Sequence, residues 1–210
     1  MCSIIEINLG VMASHWRSIA DNDIIHKLAI CDLLSELLVW LQVPPNEIWV
    51  LPQLQFRVRK KLRGNAIAIA CFDQFLQVTG EIPAASSASI AKFDQLDFGE
   101  QQLMAVFIEQ AEAPQLVTGD KRALKQLSEM SKIDEALQLK LNGKVECLEG
   151  VMLGLIQLFG FENINSKIST EADGVFRLAF GEGKSIEHAT EALQSYLQHL
   201  RTSATFVIPH

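Results

Sequence analysis

The sequence predicts an α/β fold: a mostly parallel central sheet with helices on both faces. Three observations carry that expectation. Short apolar runs alternate with longer segments of helical period, the pattern of a sheet built from strand–helix units. The strands are short and apolar, as strands covered on both faces are. Apolar residues make up 49% of the 210-residue chain, enough to fill such a core.

Ser18–Ala20 is the first apolar run, and Asp21-Asn22-Asp23 follows it. One long, largely buried helix is then expected over Ile24–Gln42, with Lys27, Asp32 and Glu36 on a single polar stripe. Pro44-Pro45-Asn46 ends it. Glu47–Leu51 reads as a strand, and Pro52 suits the first turn of the helix after it. Gly64-Asn65 breaks that helix, and a further apolar helix covers Ala66–Val78. Gly80–Ser89, rich in small residues, is expected to be a loop. Gly99 and Glu100 open a helix that runs to about Ala111. Gln115–Thr118 is a strand, Gly119-Asp120 starts the helix Lys121–Met130, and another helix covers Ile133–Leu141. Lys144–Leu148 and Val151–Phe159 form the last strand and an apolar helix. In the remainder, Ser185 is placed to cap a helix over 186–201, whose residues Ala189, Leu193 and Leu197 share a face.

Charge narrows the function classes. The formal net charge of −7 gives little long-range attraction to a phosphate backbone, so any nucleic-acid chemistry needs a local basic patch or a bound cation. Cys2, Cys31, Cys71 and Cys147 are widely spaced and form no C-x-x-C pair. They read as reduced thiols of a cytoplasmic protein. The opening segment has Glu6 and no basic run, unlike a signal peptide. The longest apolar stretch, near Val151–Phe161, is too short to span a bilayer.

The residues that carry chemistry are acids at strand ends. In open parallel sheets, ligands bind beyond the carboxyl ends of the strands. Asp21 follows the first strand, Asp120 follows Gln115–Thr118, and Glu100 lies in the first turn of the helix between them. Converging carboxylates repel one another unless a cation neutralises them, and all-oxygen donors select Mg²⁺ or Mn²⁺. A plainer reading stands beside this one. Asp21 or Asp23 could cap the helix at Ile24, Asp120 the helix at Lys121, and Glu100 could simply sit well at a helix N-terminus.

Leu116-Val117-Thr118-Gly119-Asp120-Lys121-Arg122-Ala123-Leu124 resembles the strand–T-x-D–helix segment of PIN domains. Gly99-Glu100 with 101–107 is similar to the helix before it, and Ile19-Ala20-Asp21-Asn22-Asp23-Ile24-Ile25 to the family's opening strand and turn. The resemblance covers residues 18–159 in order. Residues 1–17 are then a leader or extra strand, and 160–210 a helical C-terminal extension. PIN domains are typically metal-dependent ribonucleases. The resemblance therefore implies a nuclease cleaving RNA, with Asp21, Glu100 and Asp120 holding Mg²⁺ or Mn²⁺. Asp23 would ligate the metal or orient water, and Thr118 and Lys121 would flank the site. The chain departs from the family on the helix after the second strand, where another acid is usual. Leu51–Arg63 contains no Asp or Glu. That departure keeps open a catalytically degenerate PIN-like module that binds a protein or nucleic acid.

The basic run Arg57, Arg59, Lys60, Lys61 and Arg63 could contact phosphates near the site or form a solvated helix face. Gly181–Ser185 lacks the glycine that a phosphate-binding loop requires, because Leu178 stands in its place. Trp16, Trp40 and Trp49 read as core or edge residues. The C-terminal helix could pack on its own domain, form a homodimer or dock a partner. A phosphatase of the haloacid-dehalogenase type shares the D-x-D turn. Here Ile24-Ile25 follow where Gly or Thr is usual, and Leu124 stands where that family has an acid.

Overall fold

A computed structural model describes residues 17–210. Its centre is a five-stranded, wholly parallel sheet in the order β3-β2-β1-β4-β5. The strands are β1 (Ser18–Ala20), β2 (Ile48–Val50), β3 (Gly80–Glu81), β4 (Gln115–Thr118) and β5 (Val145–Cys147). The leader or extra strand expected over 1–17 lies outside the described residues, except for Arg17. That residue's carbonyl accepts a hydrogen bond from the Gln115 N–H at 2.8 Å.

The pleat sorts the strand side chains onto two faces. Ile19 pairs with Leu116, and both enter the core that holds Leu103, Phe107, Leu124 and Leu141. Ala20 pairs with Val117, and both enter the core that holds Ile24, Phe72, Leu155 and Phe176. No alternation survives in the sequence because both faces are buried.

The helices fill these two layers. On the Ala20 face lie α1 (Asn22–Ile30), α2 (Leu34–Leu41), α3 (Leu54–Lys61) and α4 (Ala66–Val78). The short α5 (Ser87–Ala91) packs on α6 (Phe98–Glu109), and α6, α7 (Lys121–Ser131) and α8 (Glu135–Leu141) cover the Ile19 face. Behind β5 come α9 (Leu148–Phe159), α10 (Phe161–Lys167), α11 (Gly174–Ala179) and α12 (Ile186–Ser203). Residues beyond 159 enter both cores. Phe161, Phe176 and Leu193 join the Ala20 side, and Leu197, Phe206 and Val207 join the other. Val207 also bridges to Val145, and the Ile208 N–H donates to the Val145 carbonyl at 3.0 Å. No helix among the described residues is long and apolar enough to cross a membrane.

Two expectations are corrected. The single helix over Ile24–Gln42 is two helices. Asp32 adopts a left-handed conformation (φ 51°), Asp32 N–H bonds Ala29 O at 3.1 Å, and Leu33 N–H bonds Leu28 O at 2.9 Å. This is a Schellman stop, sealed by buried Leu28 and Leu33. It is built on an aspartate, which tolerates that conformation, rather than on the usual glycine. The loop expected over Gly80–Ser89 contains β3 and the start of α5. Trp49 and Val50 pair with Gly80 and Glu81, and Ser86 caps α5 by accepting from Ser89 N–H. A Cβ at Gly80 would strike the Asn46 carbonyl, so only glycine lets this strand close on its neighbour.

Candidate functional site

Strand order reverses between β1 and β4: the chain moves outward from β1 to β2 and β3, then returns to the other side of β1. The crevice beyond such a reversal is where open α/β sheets bind ligands. Asp21 stands at its floor. Its N–H continues the sheet ladder to the Val117 carbonyl (3.0 Å), and one carboxylate oxygen caps α1, accepting from Asp23 N–H (2.9 Å) and Ile24 N–H (2.8 Å). The other oxygen accepts from the Thr118 hydroxyl. Asp21 is only 6% exposed. Burial pushes its carboxyl up to about 6, against the hydrogen bonds from Ile24 and Thr118, and the charge of Asp23 adds to the rise.

Glu100 belongs to a capping box. It accepts from Asp97 N–H (3.0 Å), and Asp97 accepts from Glu100 N–H (2.9 Å). Burial raises the Glu100 carboxyl to about 7, and the charges of Asp97, Asp120 and Asp21 push the same way. Asp120 caps α7, accepting from Arg122 N–H (2.8 Å) and Ala123 N–H (3.2 Å). Burial would raise it, but these bonds and the Arg122 guanidinium, 3.3 Å away, hold it below the usual carboxylate range. Each of the three acids thus performs the plain capping role, and all three also line one open cleft of about 560 Å³.

Asp97 lines that cleft too, and the sequence reading missed it. Its signal was visible as the D-x-x-E spacing of Asp97 and Glu100, a capping box at the start of an apolar helix. The cleft is also lined by bases: Arg57, Lys60 and Lys61 of α3, and Arg122 of α7. The basic run is therefore divided. Arg59 points away and pairs with Asp73 at 2.8 Å, and Arg63, past the end of α3, does not line the cleft. Helical geometry makes the division: Leu54 and Val58 are buried, which turns Arg57, Lys60 and Lys61 to one side and Arg59 to the other.

Two other expected site residues serve a neighbouring cluster. Lys27 binds Asp23 (2.5 Å), Asp173 (2.7 Å) and the Gly119 carbonyl (3.2 Å). Asp23 is therefore held by an ammonium group, although it still lines the cleft. A Cβ on Gly119 would come within 2.7 Å of that carboxylate. Lys121 turns away from the cleft to fully buried Glu149 (2.7 Å) and lies 4.9 Å over the Tyr196 ring. Beyond it, Glu146 on β5 is 1% exposed and bonds the His210 ring at 2.8 Å. The described cysteines, Cys31, Cys71 and Cys147, are free and buried.

The donor set of the cleft is made of hard carboxylate oxygens, and burial, with neighbouring negative charge adding to it, has raised two of the acids. As the side chains stand, no group of three or more His, Cys, Asp or Glu among the described residues is close enough to hold a metal ion. Both oxygens of Asp21 and of Asp120 are engaged by helix N–H groups, Thr118 or Arg122. No family model matches the chain, and no curated protein or solved structure matches it either.

Proposed function

We propose that the cleft is a metal-dependent phosphodiesterase site of the PIN type, acting on RNA. One observation carries this reading: Asp21, Glu100 and Asp120 line a single cleft at the reversal point of a 3-2-1-4-5 sheet, together with Arg57, Lys60 and Lys61. Acids and bases in one cleft suit an anionic substrate held beside a bound cation. Asp21, Glu100 and Asp120 are the residues that would hold Mg²⁺ or Mn²⁺, with Asp97 adding negative charge next to Glu100. Bound there, the ion would supply charge neutralisation at the phosphoryl group and a more acidic water. The chain's own contributions are separate. Thr118 holds the Asp21 carboxylate through its hydroxyl, and the basic residues of α3 would orient the phosphates.

The test is cleavage of labelled single-stranded and structured RNAs with Mn²⁺, Mg²⁺ or EDTA. Cleavage should need the metal and fall at least about a hundred-fold in Asp21→Asn and in Asp120→Asn, the size of loss typical when an electrostatic catalytic group is removed. A folded protein that cleaves none of them with either metal would sink the proposal. The acid-free stretch Leu51–Arg63 and the Asp120–Arg122 contact favour a second reading, a PIN-like module that binds without turnover. Tight RNA binding with no cleavage would select it.

A further inference from the structure

Of the chain's eleven phenylalanines, eight are buried and Phe159 is half-buried. The two that face solvent are Phe56, 71% exposed, and Phe98, 56% exposed. Both lie next to residues that line the cleft: Phe56 precedes Arg57 on α3, and Phe98 stands between Asp97 and Gly99 at the start of α6. The two elements meet there, since a Cβ on Gly99 would lie 3.7 Å from the Arg57 guanidinium and 3.1 Å from Leu51.

Neither ring is needed by its own helix. Leu54 and Val58 anchor α3 in the core, and Asp97 and Glu100 cap α6 without using Phe98. Single exposed apolar side chains are ordinary on protein surfaces. The two exposed phenylalanines are a different matter, because each is flanked in sequence by residues that line one cleft. Phe56 and Lys60 are four residues apart on α3, so the ring sits one turn from a cation that lines the cleft. Arg57, Lys60 and Lys61 form no ion pair among the described residues, whereas Arg59 is engaged by Asp73. Unpaired cations on the same short elements as exposed aromatic side chains match a ligand that has both phosphates and open bases.

We infer that Phe56 and Phe98 are base-stacking residues and that the cleft takes single-stranded nucleic acid, with the strand's phosphates on Arg57, Lys60 and Lys61. The inference rests on the reading of the cleft as a phosphodiester site, but stacking needs no turnover, so the two are tested separately. A duplex presents no open base faces to these rings, which sets the preference for single strands.

The experiment is fluorescence anisotropy on the full chain in EDTA, with a labelled twelve-nucleotide oligouridine, the same strand with abasic sites, and a duplex of equal length. Phe56→Ala and Phe98→Ala should each weaken oligouridine binding about tenfold, within the range usual for loss of one stacking contact. Phe56→Tyr and Phe98→Tyr should restore it. On the abasic strand and the duplex the alanine variants should match the parent, while Lys60→Ala weakens all three ligands. Equal affinity of parent and alanine variants for oligouridine would overturn the inference, as would equal losses on the abasic strand. Failure of the parent to bind any of the three, or retention of a protein on this face that the alanine variants release, would overturn it too. Phe-dependent binding with no Mn²⁺-dependent cleavage would leave the inference standing and remove the nuclease reading.

Discussion

On one side of the Gly119 turn, charges alternate: Asp23, Lys27, Asp173, Lys121 and Glu149 run from the cleft edge to the C-terminal helices, each acid within reach of an ammonium group. On the other side, Asp21, Asp97 and Glu100 share a cleft wall, and Arg122 reaches only Asp120. Both regions put carboxylates at the carboxyl edge of the same sheet. In the first, burial of the acids is offset by neighbours of opposite sign, and Asp173 is held below the usual range by Lys27 despite its burial. In the second, burial and like charge act together, and two acids rise. Acidic residues at strand ends therefore divide by their surroundings. The compensated set links helices across the carboxyl edge of the sheet, and the crowded set is where the proposed cation would bind.

Removing a base from the compensated side should give the largest effect. Lys121→Met leaves Glu149 buried without its partner and should cost about 3 kcal/mol in chemical denaturation at pH 7, whereas Arg122→Met, on the exposed cleft side, should leave stability nearly unchanged. Equal losses in the two variants would erase the distinction between the regions.

Asp21 gives the opposite sign. Its carboxyl takes a proton near pH 6 in the folded chain and near the ordinary 3.8 when unfolded. Between those values the native state binds more protons, so, without divalent ions, this group's contribution to stability is full at low pH and is lost as pH rises to about 6. Glu100 extends the decline to about 7. Asp21→Asn keeps the shape, can still accept from the α1 N–H groups, and removes the charge. It should be more stable than the parent at pH 8, by about 2 kcal/mol, while the two converge near pH 4. Stability that rises between pH 4 and 7 in the parent would contradict this account of the cleft.

A smaller effect is expected at the turn that joins the regions. Gly119→Ala presses a methyl group against the Asp23 carboxylate and the Ile24 N–H, and should cost about 1–2 kcal/mol by thermal unfolding. A neutral outcome would mean that the Asp23–Lys27 pair yields easily and does not brace the turn.

Much of this was legible in the residues, for identifiable reasons. Gln115–Thr118 and Ala66–Val78 have the bounds expected, because Pro114, Gly119 and Asn65 punctuate them. Asp21 and Asp120 could be placed at the carboxyl edge because each follows a strand of a parallel sheet, but that Glu100, in the first turn of α6, lines the same cleft could not be read from spacing alone. The break at Asp32 was not, since its signal is a backbone conformation carried by an aspartate that fits the helical polar stripe equally well. A two-residue strand such as β3 has too few residues to show any period. Lys121 and Asp120 are adjacent in sequence yet serve different clusters, because the first turn of α7 sends them to different sides. Only the partner Glu149, far along the chain, reveals which side Lys121 takes.

The pairing of Val207 and Ile208 with Val145 bears on how the protein is made. The edge of β5 is closed by residues that leave the ribosome some sixty positions after the strand they cover. Throughout that interval of synthesis the sheet presents an open parallel edge, the feature that recruits foreign strands. A nascent chain stalled before Phe206 would lack the segment that covers this flank. Exposure of this flank during translation is thus set by residues that are made long after the strand they cover.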